Sequence, residues 1–142
     1  MTTILADAKL GLMVSDSNVS DGITVSCMRK VFRVNGALVG MAGAVSEFEA
    51  FLGWYRAGMP NPVPQISSVS ALILSKHGLV HFAARSPTRS QSGIEAVGTG
   101  AMAALAVYEA LGHQDPAKAV RIVCRHDNGS RGPVRTYKLT RP

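Results

Sequence analysis

The chain has 142 residues, 46% of them apolar and 17% charged, which fits one domain over residues 1–142 and excludes disorder. A chain of this size buries roughly 68–70% of the surface its unfolded state exposes, enough for a true core. The net charge of +6 is scattered without a run of five like charges, and the sparse aromatics do not interleave with arginine, so no nucleic-acid partner is expected.

Residues 2–6 and 10–15 are β-branched and apolar around Lys9-Leu10-Gly11, which predicts a hairpin. A strand that close to the terminus pins the terminus into a sheet. Asp16-Ser17-Asn18-Val19-Ser20-Asp21-Gly22 reads as a loop. Residues 25–34 read as a strand, Asn35-Gly36 as a hairpin turn and residues 37–42 as the returning strand. Ser46-Glu47-Phe48-Glu49 has the pattern of a capping box, with Ser46 as cap and Glu49 reaching back. Phe48, Phe51, Leu52 and Tyr55 follow helical spacing; Gly58 ends that helix, and Pro60, Pro62 and Pro64 bar its continuation.

Residues 70–75 and 79–84 predict a second hairpin around His77-Gly78, residues 86–92 a polar loop and residues 94–97 a short strand. Gly98-Thr99-Gly100 opens a helix with Ala101, Ala104, Leu105, Tyr108 and Leu111 on one face. Asp115-Pro116 supplies an N-cap and a first-turn proline for another helix, running to about Arg125. Residues 127–133 form a loop and residues 134–139 a last strand. The expected order is four strands, a helix, three strands, two helices and a strand. Hairpins dominate and helices come in blocks, which predicts an α+β sandwich of mostly antiparallel sheets rather than a doubly wound sheet.

Five places could carry chemistry. If Met1 is removed, Thr2 bears a free α-amine beside its own hydroxyl, so the amine can serve as base for a weak nucleophile. Such an amine has an ordinary pKa of about 7.7–8.0 and is partly neutral near physiological pH. An ordinary chain start reads the same way. Asp16 and Lys30 could pair, the carboxylate keeping a buried lysine charged; on the surface such a pair counts for little. Gly43, where a strand gives way to a helix, could aim its N–H at an oxyanion or be a plain joint. Gly98-Thr99-Gly100 also fits a dinucleotide fingerprint, but a second helix follows where that motif needs a strand and an acidic residue. Asp127-Asn128-Gly129-Ser130-Arg131-Gly132 could hold a carboxylate and a hydroxyl near an amine, or be a simple turn.

Cys27 and Cys124 form no CxxC and read as core thiols of a reducing compartment. Neither HExxH nor CxxC accompanies His77, His81, His113 or His126, so no metal and no cofactor are expected. With no charged start before an apolar run and no apolar stretch near ~18 residues, a cytoplasmic protein with no membrane partner is expected.

The ordered set of pieces resembles the proteasome β-subunit family nearly end to end, near its bacterial ATP-dependent peptidase branch. Thr-Thr-Ile-Leu-Ala-Asp-Ala-Lys-Leu-Gly-Leu-Met-Val-Ser-Asp-Ser looks like the family's opening, and Met-Arg-Lys-Val-Phe-Arg-Val like its lysine-bearing strand. Met-Ala-Gly-Ala-Val-Ser-Glu is similar to its glycine turn, Val-Gly-Thr-Gly to its Gly-Ser-Gly helix start and Asp-Asn-Gly-Ser-Arg-Gly to its Asp-x-x-Ser-Gly-Gly loop. The resemblance implies an N-terminal-nucleophile hydrolase sandwich (αββα) and a threonine endopeptidase. Thr2 would be nucleophile, Lys30 would lower its hydroxyl pKa, Asp16 would hold Lys30, and the Gly43 N–H would stabilise the oxyanion. Thr99, Asp127 and Ser130 would orient the amine and a water. Val19, Ser20, Met28 and Met41 would bind the substrate side chain, with a preference for apolar or neutral residues. Polypeptide substrates, a homo-oligomeric ring and an unfolding ATPase as a candidate partner are implied in the same way.

Four departures accompany the resemblance. Thr99 stands for serine, Arg131 for a glycine, the Asp16–Lys30 spacing is about two residues short of the family's, and residues 58–68 are a proline-rich loop where the family has a long second helix. Two other readings compete: a non-catalytic structural or interaction subunit of the same fold, and a small-molecule amide hydrolase with the same N-terminal chemistry.

Overall fold

The computed structural model describes residues 2–20, 25–83 and 86–140. Strands β1 (Ile4–Asp7) and β2 (Leu12–Ser15) form the first hairpin. β3 (Asn18–Ser20) and β4 (Val25–Cys27) pair as a separate ribbon. β5 (Val31–Val34) and β6 (Ala37–Ala42) flank the Asn35-Gly36 turn. A 3-10 turn, Val45–Glu47, leads into α1 (Phe48–Arg56). Then come β7 (Ser70–Ser75), β8 (Gly78–Ala83), β9 (Ser86–Arg89), β10 (Ile94–Val97), α2 (Ala101–Ala110), α3 (Pro116–His126) and β11 (Arg135–Lys138).

Two antiparallel sheets carry the fold, in the orders β10-β1-β2-β11 and β5-β6-β7-β8-β9. Period-two alternation sorts each strand's residues into layers. Val39, Met41, Ala71 and Ile73 face α1 and pack with Phe48, Phe51 and Leu52. Leu38, Leu72 and Leu74, on the opposite face, meet Ile4, Ala6 and Met13 between the sheets. Leu5, Val14 and Ala96 face outward again, against Ala104 and Tyr108 of α2 and Ala119, Val120 and Val123 of α3. The order helix, sheet, sheet, helices is the expected αββα sandwich. Each fully buried aliphatic or aromatic side chain in these layers stabilises the fold by roughly 1.5–3 kcal/mol. One polar tie joins the last two layers: Tyr108 Oη donates to Asp7 Oδ2 at 2.6 Å, while Asp7 Oδ1 accepts from the N–H groups of Lys9 and Leu10 at 2.9 and 3.1 Å.

Several sequence expectations need correction. Residues 25–34 are two strands, because residues 28–30 leave the sheet to turn Lys30 inward; Met28 N–H donates to Ser17 O and Met41 N–H to Lys30 O. The expected loop over residues 16–22 contains β3, and its residues 21 and 22 lie outside the described residues. The capping box does not form. Ser46 sits inside the 3-10 turn, and α1 starts after Glu47 without a side-chain cap. The polar segment 86–92 begins with an edge strand, where Pro87 is tolerated because an edge residue need not donate to a neighbour. The strand expected over 79–84 is described only to Ala83, since Ala84 lies outside the described residues. Gly58 does end α1, at φ +88°, with its N–H on Tyr55 O. Asp115 caps α3 by accepting from Lys118 N–H at 3.1 Å. Residues 57–69 contain no helix.

Candidate active site

Lys30 Nζ donates to both Thr2 Oγ1 and Asp16 Oδ1, at 3.0 Å each. All three residues are buried, Asp16 completely. The Asp16 carboxylate is saturated by backbone: Oδ1 also accepts from Thr3 N–H at 3.0 Å, and Oδ2 from Asn18 N–H at 3.2 Å and Arg131 N–H at 3.1 Å. A buried ion pair survives desolvation only when its remaining lone pairs and protons are satisfied, and this one meets that condition at the carboxylate. Burial pulls the Lys30 pKa below its ordinary value, while the Asp16 charge and hydrogen bond oppose the fall. The lysine is thus a charged donor held against Thr2 at a cost in solvation.

The approach of Thr2 depends on two glycines. A Cβ on Gly98, whose φ is +98°, would collide with the carbonyl of Thr2. A Cβ on Gly100 would collide with Thr3 Oγ1 and crowd Val123. Gly100 N–H in turn donates to Thr2 O at 3.3 Å. The glycines of the Gly98-Thr99-Gly100 segment therefore make room for the chain's own residues 2 and 3, which fill the cradle a dinucleotide phosphate would need.

Thr99, Asp127 and Ser130 form a second cluster. Thr99 Oγ1 and Ser130 Oγ both bond Asp127 Oδ2, at 3.0 and 2.6 Å. Ser130 Oγ also lies 2.6 Å from Thr3 Oγ1. The loop carrying Asp127 and Ser130 is sewn to the segment after β2: Ser17 N–H donates to Arg131 O, Ser17 Oγ to Pro133 O and Asn18 Nδ2 to Gly129 O.

Thr2, Ala42, Gly43, Ser68, Ser70, Gly98 and Thr99 line an open cavity of about 490 Å³. Gly43 has φ +117°, and a Cβ there would strike Ser68 O, so the turn after β6 must be glycine to close against residue 68. The sequence reading singled out neither Ser68 nor Ser70. Nor did it find Glu47, whose carboxylate accepts from the N–H and hydroxyl groups of both Ser67 and Ser68. Four donors on one acidic side chain tie the 3-10 turn before α1 to residues 67 and 68. The other candidates for substrate contact sit elsewhere. Met41 is fully buried in the core under α1, Met28 packs partly buried against that core, and Val19 is half-buried on β3. The side chain of Ser20 lies outside the described residues. Among the described residues, no group of three or more His, Cys, Asp or Glu is placed to hold a metal ion, and no helix is long and apolar enough to cross a membrane.

No family model matches this chain, and no curated protein matches it. Solved structures do. HslV from Trypanosoma brucei aligns with a TM-score of 0.79 at 22% identity, over 96% of this chain and 98% of that one. The fold is that of HslV. Thiobacillus denitrificans BPH in complex with Epoxomicin aligns with a TM-score of 0.76 at 18% identity, over 99% of this chain and 100% of that one. A second structure of Thiobacillus denitrificans BPH gives 0.73 at 18% identity, over 99% of each chain. The N-terminal-nucleophile hydrolase sandwich is thereby shared along essentially the whole chain, at identities that speak for fold alone.

Proposed function

We propose that this chain is a proteasome-type threonine endopeptidase that works from Thr2 once Met1 is removed. The observation that supports this most is the buried contact of Lys30 Nζ with both Thr2 Oγ1 and Asp16 Oδ1, in a cavity shared by Thr2 and Gly43. In this reading the Thr2 hydroxyl gives its proton to its own α-amine and attacks the peptide carbonyl carbon. Lys30 stabilises the developing negative charge on Oγ1, and the Gly43 N–H stabilises the oxyanion. The ammonium proton leaves with the amine product as the C–N bond breaks. Water, deprotonated by the restored amine, then hydrolyses the ester on Thr2. Thr99, Asp127 and Ser130 orient amine and water, and Val19, Ser20 and Met28 contact the substrate side chain, with Met41 behind them in the core under α1.

The substrates of this reading are polypeptides, cut inside a cytoplasmic homo-oligomeric ring, with an unfolding ATPase as a candidate partner. Exposed apolar side chains at Leu10, Val45, Met59 and Met102, the last 79% exposed, are consistent with faces covered by other subunits. Epoxomicin, described in complex with the BPH structure, is a natural first ligand to try.

Intact mass of the purified protein, before and after a covalent probe for N-terminal threonine, tests the proposal. The expected result is a mass lacking Met1 and a single adduct that disappears in Thr2→Ala. A mass that keeps Met1, with no adduct, would overturn the peptidase reading in favour of a non-catalytic subunit of the same fold.

A further inference from the structure

Thr3 stands outside the residues named for the reaction, yet it is bonded to both halves of the site. It is fully buried. Its N–H donates to Asp16 Oδ1 at 3.0 Å and its carbonyl accepts from Asp16 N–H at 3.1 Å, which ties it to the lysine side. Its Oγ1 lies 2.6 Å from Ser130 Oγ, on the other side. The start of α2 presses on this hydroxyl, since only glycine fits at position 100 beside it.

The direction of that last bond follows from its neighbours. An ionised carboxylate only accepts, so Thr99 and Ser130 both donate to Asp127 Oδ2. Ser130 has one hydroxyl proton, and Asp127 takes it. In the contact between Thr3 and Ser130, Thr3 must therefore be the donor. The protons run one way, from Thr3 to Ser130 to Asp127. Ser130 Oγ keeps a second lone pair, the negative end of an ordered hydroxyl, beside Thr3 and so one residue along the chain from Thr2.

We propose that Thr3 is a positioning residue whose hydroxyl fixes this proton order, so that Ser130 offers a lone pair, not a proton, to the α-amine of Thr2. This rests on the peptidase reading, in which that amine exists and cycles through its ammonium form. An acceptor facing the amine favours the ammonium. Without the Thr3 donor, the Ser130 hydroxyl is free to turn its proton toward the amine, and the ammonium loses a partner. Thr3 acts through Ser130 and touches no substrate.

The test is the pKa of the Thr2 α-amine in the Met1-processed chain, read from the pH dependence of N-terminal acylation by mass spectrometry. Peptide hydrolysis is followed in the same samples. Thr3→Val keeps the shape and loses the hydroxyl; it is expected to lower the amine pKa by about one unit or more, the size of one hydrogen bond to a charged group. Thr3→Ser keeps the hydroxyl and is expected to hold the wild-type pKa, whereas a purely packing role would make it the worse variant. In a Ser130→Ala background, Thr3→Val is expected to shift nothing further. An unchanged amine pKa in Thr3→Val, with hydrolysis intact in the wild type, overturns the role of Thr3 alone. The expected shift without any hydrolysis supports the proton order and sinks the peptidase reading. Retention of Met1 overturns both.

Discussion

Gly98 and Thr2 touch through backbone: a Cβ on Gly98 would overlap the Thr2 carbonyl, and Gly98 already sits at φ +98°. Gly98→Ala must therefore either strain the left-handed backbone or push Thr2 away from Lys30. A strained φ alone costs about 1–3 kcal/mol, and the collision adds to it. The expected outcome is a lower urea midpoint together with loss of adduct formation at Thr2. Gly53, inside α1, has nothing near its missing Cβ, so Gly53→Ala serves as the control and is expected to be neutral or mildly stabilising. A Gly98→Ala protein with normal stability and normal labelling would show that the approach of Thr2 to the glycine turn does not matter.

The Lys30–Asp16 pair separates stability from chemistry. Lys30→Met leaves Asp16 as a buried charge without its cation, which typically costs about 3–5 kcal/mol. Adding Asp16→Asn removes that orphan charge, so the double variant is expected to regain part of the lost stability but none of the peptide hydrolysis. The pH dependence has a definite sign. The Lys30 pKa is lowered in the folded state, chiefly by burial, so the unfolded chain binds more protons between that lowered value and 10.5. Wild-type stability carries a component that rises with pH through this window and is absent below it. Urea titrations across the alkaline range are expected to show that component in the wild type and not in Lys30→Met.

The fold was readable because its signals are local. Asn35-Gly36, Gly58 and Asp115-Pro116 each mark a boundary through backbone chemistry that no distant contact overrides. Turn signals beside residues 37–42 and 70–75 placed both strands as hairpin arms, and β6 and β7 are buried along almost their full length. What failed was set by partners far along the chain. The β4–β5 break exists because Lys30 must reach Asp16 and Thr2. The capping box is lost because Ser46 is taken into a 3-10 turn, whose Glu47 is held by Ser67 and Ser68 some 20 residues on. At the site, Thr2, Asp16, Lys30, Gly43, Thr99, Asp127 and Ser130 were nameable from motif order; all but Gly43 fall into two bonded clusters, and Gly43 lines the cavity with Thr2 and Thr99. Ser68 and Ser70 carried no signal, since serines after a proline-rich loop look like any surface segment. Thr3 did carry one: it doubles the threonine at the chain start.

Glu47 holds one wall of the cavity. Its carboxylate accepts from Ser67 and Ser68, Ser68 lines the cavity, and Ser68 Oγ lies 3.3 Å from Ala44 N. The Ser68 hydroxyl and N–H, aided by Ser67, hold the Glu47 pKa below 4.5, so the clamp is complete above that pH and is lost as pH falls through the lowered value. Glu47→Gln keeps the shape but removes the charge behind all four bonds and turns one accepting oxygen into a donor. It is expected to raise KM for peptides by about two- to tenfold with little change in kcat, as loss of uniform binding does. An equal fall in kcat and kcat/KM would instead put Glu47 in the transition state.

The two thiols should differ sharply in reactivity. Cys27 is exposed, whereas Cys124 is half-buried on α3. Burial pushes the Cys124 thiol up to about 11, with the charges of Asp16 and Asp127 adding to the rise and Lys30 opposing it. At pH 8 a thiol of that pKa is only about one part in a thousand thiolate, and the thiolate is the reactive form. Iodoacetamide at pH 8 is expected to label Cys27 at least about 100-fold faster than Cys124 in the folded protein, and both alike in urea. In Lys30→Met the one neighbour that favours the Cys124 thiolate is gone, so its labelling should slow further in protein that remains folded. Faster labelling of Cys124 in that variant would mean that the loop holding Asp16 and Asp127 had opened, and the loss of hydrolysis would then report unfolding of the site rather than loss of the lysine.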